Sequence, residues 1–210
     1  MDMHIPDGFL STQVWAAMWV VSGLVIIYAL SKVKGKLKEK AVPLMGILAA
    51  FIFAAQMLNV PIGAGTSGHL LGGVLAAVLL GPFTASIVMV AVFVVQGIFF
   101  QDGGITALGA NIFNMGLIGT ILGYYVFRAA ERITKNTIAS AAFAAWLSVV
   151  LAASATAIEL AISGTSELGI VLPAMAGIHA IIGIVEAGVT AAVLAYVLKA
   201  RPDLMELERV

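Results

Sequence analysis

The sequence predicts an all-α integral membrane protein, a bundle of about seven transmembrane helices forming one domain over residues 1–210. Three observations predict it. Hydrophobic residues make up 61% of the chain and charged residues 10%, whereas a soluble domain carries about 25% charged residues. Apolar stretches approaching the roughly 20 residues that a span requires recur along the chain, broken by short polar or Gly/Pro segments. The positive charges fall into three clusters separated by even numbers of those stretches.

The first span runs from Ser11 to Ser31 and ends in a basic loop, residues 32–41, with lysine at every second position from Lys32 to Lys40. Pro43 to Leu58 is the second. A Gly/Pro-rich loop over 59–69 then leads to His69. The third span, Leu70 to Leu80, is short and reaches full length only if His69 and Gly81 sit at its ends; Gly81-Pro82 punctuates it. Phe83 to Phe100 is the fourth, closed by Gln101-Asp102-Gly103-Gly104. The fifth runs from Thr106 to Phe127, the sixth from Thr137 to Ile162 and the seventh from Leu172 to Leu198. A charged tail, 199–210, follows.

Orientation follows from the charges. With the 32–41 loop in the cytoplasm and seven alternating spans, all eleven Lys and Arg lie on the cytoplasmic side: five in that loop, three between Arg128 and Lys135, three in the tail. The positive-inside rule then places the N-terminus outside and the C-terminus in the cytoplasm. The N-terminal decapeptide, the 59–69 loop, Gln101–Gly104 and Ser163–Gly169 share the outer face. His4 and His69 are therefore on one side of the bilayer.

Several function classes are excluded. A formal net charge of zero argues against nucleic acid, whose binders carry a basic face. With no cysteine there is no disulfide, thiolate metal site or iron–sulfur cluster. No His-Glu-x-x-His motif and no Walker phosphate loop occur, so the chain neither reads as a zinc protease nor powers itself with ATP. No nucleophile–base pair has a persuasive spacing, and the chain is not expected to be an enzyme.

The polar residues that remain carry the chemistry. His4 lies close to the chain terminus, where a free amine, an intervening deprotonated amide and an imidazole can chelate a divalent metal. All-nitrogen donors in a plane suit Ni(II) or Cu(II). The same terminus could equally be a frayed end, and its residues alone do not decide. His69 follows a flexible loop and opens a span, as either a ligand or an interfacial structural residue. His179 and Glu186 are seven residues apart on one helix face, and Glu159 lies toward the outer end of the sixth span. Ionisable groups at membrane depth mark a function or a paired polar network. Asn111, Asn114, Gln56 and Gln96 read as hydrogen-bonding glue between helices, and Gly116, Gly119 and Gly123 as close-packing positions.

The segment Met3-His4-Ile5-Pro6-Asp7-Gly8-Phe9-Leu10 resembles the N-terminal signature of the CbiM/NikM family, the substrate-binding (S) components of energy-coupling-factor transporters for cobalt and nickel. The resemblance continues through Gly68-His69-Leu70-Leu71-Gly72-Gly73, Leu80-Gly81-Pro82, Gln101-Asp102-Gly103-Gly104, Leu108 to Gly116, and His179 to Glu186, so it covers nearly the whole chain. It implies a bundle whose N-terminus tucks into the extracellular mouth and binds metal there. The implied ligands are the Met3 amine, His4 through backbone and imidazole nitrogens, and His69. Asp7, Asp102, Asn111, Asn114, His179 and Glu186 would support them or pack the helices around them.

The resemblance further implies Ni(II) or Co(II) as the transported substrate, no organic cofactor, and a multi-pass place in a prokaryotic cell membrane. The partners would be separate ATPase subunits and a coupling transmembrane protein, with room for a small accessory membrane subunit. One feature departs from the family pattern: Met1-Asp2 precede Met3 here. The expectation is a mature chain that starts at Met3, because an amine at Met1 would lie two residues too far away. The alternative reading is a stand-alone secondary divalent-metal transporter, driven by protons through Glu159, His179 and Glu186.

Overall fold

The computed structural model describes residues 3–37, 41–58, 60–63 and 66–206. Among these, seven α-helices succeed one another: α1 (Thr12–Val33), α2 (Ala41–Gln56), α3 (Gly73–Leu80), α4 (Pro82–Phe99), α5 (Leu108–Thr134), α6 (Thr137–Ile162) and α7 (Leu168–Ala200). A 3-10 turn, Pro202–Glu206, closes the described chain. Five of the helices, α1, α4, α5, α6 and α7, are long and apolar enough to cross a bilayer. Their outer faces are apolar too: Leu24 and Ile27 of α1 are 63% and 65% exposed. A helix that is hydrophobic all round, yet exposed on one side, has lipid as its natural solvent.

The helix ends follow local chemistry. Asn136 accepts a hydrogen bond from the Ala139 N–H at 3.0 Å and so caps α6. The turn before it is tight because Lys135 adopts a left-handed conformation. α7 starts at Leu168, four residues before the expected Leu172, and carries Pro173 inside it. α5 is one continuous helix, but its middle, Ile112–Leu122, is wound as a π-helix. Such wide turns are rare and concentrate at functional positions.

Two expectations are revised. The 59–69 loop contains an antiparallel hairpin, β1 (Val60–Gly63) paired with β2 (Thr66–Gly68), which ends one residue before His69. The third span is shorter than expected. At eight residues α3 is about 12 Å long, far below a hydrocarbon thickness of about 30 Å. The reason is a long-range contact: Leu71 and Gly72 give their N–H groups to Glu186, and Gly72 takes a φ of 75°, so the helix begins at Gly73.

Every residue of α3 is buried, which makes this short helix the centre of the bundle. It can sit there because Gly73 meets the Gly119 backbone of α5; a Cβ at Gly73 would lie 2.8 Å from the Gly119 carbonyl carbon. The small residues expected to allow close packing do so at Gly116, against Phe93, and at Gly123, against Val74. The expected glue residues Gln96 and Gln56 join α4 to α2, the Gln96 side-chain amide donating through Nε2 to Gln56 Oε1 at 2.8 Å.

Candidate metal site

Four segments meet at one end of the bundle: the decapeptide, the residues after the hairpin, the 100–107 loop and the 163–167 turn. They are the four that the charge pattern placed on one side. Met3, His4 and Ile5 are buried, while Pro6 to Phe9 are exposed. The segment Met3–Ile5 is therefore inserted rather than frayed.

Three sets of contacts seat it. The Asn111 side chain brackets Ile5, accepting from its N–H at 2.9 Å and donating to its carbonyl at 3.2 Å. The Gly104 N–H donates to the same carbonyl at 2.9 Å. Asp7 accepts from the N–H groups of Ile105 (3.1 Å) and Thr106 (2.7 Å), and from the Thr106 hydroxyl. Chiefly the Thr106 hydroxyl, helped by the backbone N–H groups and opposed by partial burial, holds the Asp7 carboxyl below its ordinary value. Beyond Asp7, Gly8 at φ 85° turns the chain, and the Thr165 hydroxyl donates to the Phe9 carbonyl.

His4 and His69, both 4% exposed, come together inside this mouth. Their rings stack with centroids 4.7 Å apart and an interplanar angle of 14°. Phe93 closes the other side of His4 edge-on at 5.8 Å. His69 Nδ1 lies 2.9 Å from the Leu70 carbonyl, a contact that requires the proton on Nδ1 and leaves Nε2 as the lone-pair nitrogen. His4 Nδ1 lies 3.0 Å from Asp102 Oδ1. That approach is off-axis: among the described residues neither ring nitrogen of His4 has an aligned hydrogen-bond partner, although both are buried. A buried polar atom left this way costs about 1–3 kcal/mol. A metal ion taking up a lone pair would recover it.

Among the described residues no group of three or more His, Cys, Asp or Glu side chains could hold a metal ion. The side chains thus supply a histidine pair, and further donors of a four-nitrogen set would be backbone nitrogens at Met3 and His4. Met3 is 2% exposed. Whether its nitrogen is a terminal amine turns on Met1 and Asp2, which lie outside the described residues. A cleft of about 540 Å³, lined in part by His4, Asp7, Gln101 and Asp102, opens beside the pair. Its two carboxylates favour a cation.

The other expected residues have separate partners. Glu186 accepts from the Leu71 N–H at Oε2 (2.7 Å) and from the Gly72 N–H at Oε1 (2.9 Å). His179 Nδ1 faces the Met175 carbonyl of its own helix at 2.8 Å. Asn114 donates to Glu159 at 2.7 Å and to Thr156 at 3.2 Å, linking α5 to α6. Asn111, expected between helices, binds the decapeptide instead. Thr106 and Phe93 were given no site role by the sequence, and Gly104 entered only within the Gln101-Asp102-Gly103-Gly104 motif. The Gly103-Gly104 pair beside Asp102 was the available signal for a close backbone approach.

Five helices long and apolar enough to cross a bilayer mark a multi-pass membrane protein, and the buried histidine pair at one mouth is its candidate metal site. The chain belongs to the CbiM family, described as the cobalt uptake substrate-specific transmembrane region, which it matches over residues 4–204. This family is a metal transport component rather than an enzyme family. The chain is 45% identical over 206 residues to a putative fused nickel transport protein NikMN of Archaeoglobus fulgidus, covering 97% of this chain and 68% of that protein. It is 33% identical over 213 residues to a putative cobalt transport protein CbiM 1 of Methanosphaerula palustris, covering 97% and 92%. A crystal structure of a truncated transition metal transporter superposes with a TM-score of 0.87 at 38% identity, covering 93% of this chain and 98% of that one.

Proposed function

We propose that the chain captures Ni(II), with Co(II) as the lesser substrate, at the extracellular mouth of the seven-helix bundle. It then hands the ion to an ATP-driven energy-coupling-factor importer formed with separate ATPase and coupling membrane subunits. The observation that carries this reading is the stacked, buried His4–His69 pair, with the His4 nitrogens lacking aligned partners. The Met3 amine, the His4 amide and imidazole, and the His69 imidazole would form a planar nitrogen set, which favours nickel; cobalt prefers more ligands. A mature chain beginning at Met3 supplies the amine. The names of the similar nickel and cobalt transport proteins agree with this substrate class.

The test is native mass spectrometry of detergent-purified protein with and without nickel, repeated on His69→Ala. One nickel on a chain starting at Met3 is expected. His69→Ala should lose more than about 100-fold in affinity, beyond the range typical of losing an outer partner, while the bundle stays folded. Tight nickel binding by His69→Ala would overturn the ligand set. The proton-driven alternative gains no support from the geometry, since Glu159 and Glu186 are each engaged by separate hydrogen-bond donors.

A further inference from the structure

We infer that Glu186 positions His69: from the middle of α7 it fixes the backbone that carries this imidazole, so the placement of α7 sets how tightly the metal is held. The inference rests on the metal-site reading above and deepens it.

Leu71 and Gly72 lie two and three residues after His69, between it and α3. Both Glu186 oxygens are used on their N–H groups, at 2.7 and 2.9 Å, and Glu186 is 1% exposed. The Leu71 carbonyl is taken from the other side by Gln56 Nε2 at 2.8 Å, and Gln96 in turn holds Gln56. Gly72 cannot be exchanged for a larger residue, because its φ is 75° and a Cβ would meet Ile52 at 2.7 Å. Thus α2, α4 and α7 grip one non-helical link. A carboxylate accepting two successive backbone N–H groups makes charge-assisted bonds of fixed direction, and at membrane depth no water can replace it.

The link has few free torsions. His69 is followed by Leu70, then by the held Leu71 and Gly72, so a shift of the Glu186 carboxylate is passed to the imidazole rather than absorbed. α7 lies at the edge of the bundle, with Ile181, Ile184 and Val185 exposed next to Glu186. A partner or a lipid pressing on that face would act on a helix that directly holds the His69 link.

The experiment measures nickel dissociation and the ligand-field absorption of bound nickel in the purified full chain. The variants are Glu186→Gln, Glu186→Asp and, as a control, Ser86→Ala, which breaks a buried α4–α5 hydrogen bond to Thr120 away from the site. Glu186→Gln keeps the shape but replaces one acceptor with a donor. It should release nickel at least about tenfold faster, the lower bound for outer-partner loss, and shift the absorption bands. Glu186→Asp should recover part of both, and Ser86→Ala should match the unsubstituted chain. Unchanged dissociation and spectrum in Glu186→Gln, or an equal change in Ser86→Ala, would overturn the inference. If Glu186→Gln does not fold, hydrogen exchange in the unsubstituted chain decides: the Leu71 and Gly72 amides should exchange as slowly as those inside α3, and fast exchange rejects the role. No nickel binding by the unsubstituted chain would instead overturn the metal-site reading itself.

Discussion

Asn111 treats Ile5 as an adjacent strand would, pairing with both its N–H (2.9 Å) and its carbonyl (3.2 Å) through a single side chain. The two residues are 106 positions apart, and Asn111 is 1% exposed. One amide therefore ties the inserted terminus to the start of α5, one residue before its π-helical stretch.

Replacing Asn111 with Leu should leave the buried Ile5 N–H without a partner, at about 1–3 kcal/mol, and the Ile5 carbonyl with the Gly104 N–H alone. The effect should appear as weaker nickel binding, by tenfold or more, with helix content unchanged. Calorimetric titration measures it; an unchanged affinity would mean that the terminus is seated without this bracket.

Gly104→Ala tests the same seat from the loop side. A Cβ there would lie 2.2 Å from the Asp7 nitrogen, so either the loop or the decapeptide must move. The expected cost is about 1–3 kcal/mol, as for other overpacked positions, and it should fall on metal binding more than on the melting of the bundle. Equal affinity in Gly104→Ala would contradict the close approach.

Asp7 gives a pH dependence of stated sign. Its folded-state pKa is lowered, so its contribution is complete above the ordinary carboxylate value of about 3.9 and is lost as pH falls through the lower folded value. The Thr106 amide proton resonance should follow that transition in the unsubstituted chain. Asp7→Asn should abolish the transition and weaken the seat at neutral pH. A Thr106 resonance that ignores acid in the unsubstituted chain would refute the contact.

Asp102 shares the cleft with Asp7 and reaches His4. Asp102→Asn should slow nickel association roughly tenfold at low salt, near the lower end of the gain from a charged cleft. The remaining rate should depend less on ionic strength. Stopped-flow rates that are equal in both proteins at every salt concentration would place capture elsewhere.

Much of the architecture was readable because apolar length is a dense signal. The expected Thr137–Ile162 span is α6 to the residue, and Ser11–Ser31 is α1 shifted by one or two. The shortness of α3 was not readable, since it depends on where a carboxylate 114 and 115 positions away finds its N–H partners. The hairpin lay hidden in a Gly/Pro stretch with no alternation. In the site, His4 and His69 stood out as two of three histidines. Their surroundings did not, because most of the hydrogen bonds there use backbone groups, which leave no mark in a sequence. Asn111 was noticed for the right reason, a polar group at membrane depth, but its partner could not be foreseen.

The inserted terminus has a further consequence, for the order of assembly. Met3 to Ile5 are synthesised about a hundred residues before Asp102, Gly104 and Asn111, which hold them. At roughly 5–20 residues per second, the segment waits for seconds outside its final place while α1 is already in the bilayer. His69 likewise waits for Glu186. Residues made early are thus among the last to be seated, and the mouth is complete only once α7 has joined the bundle.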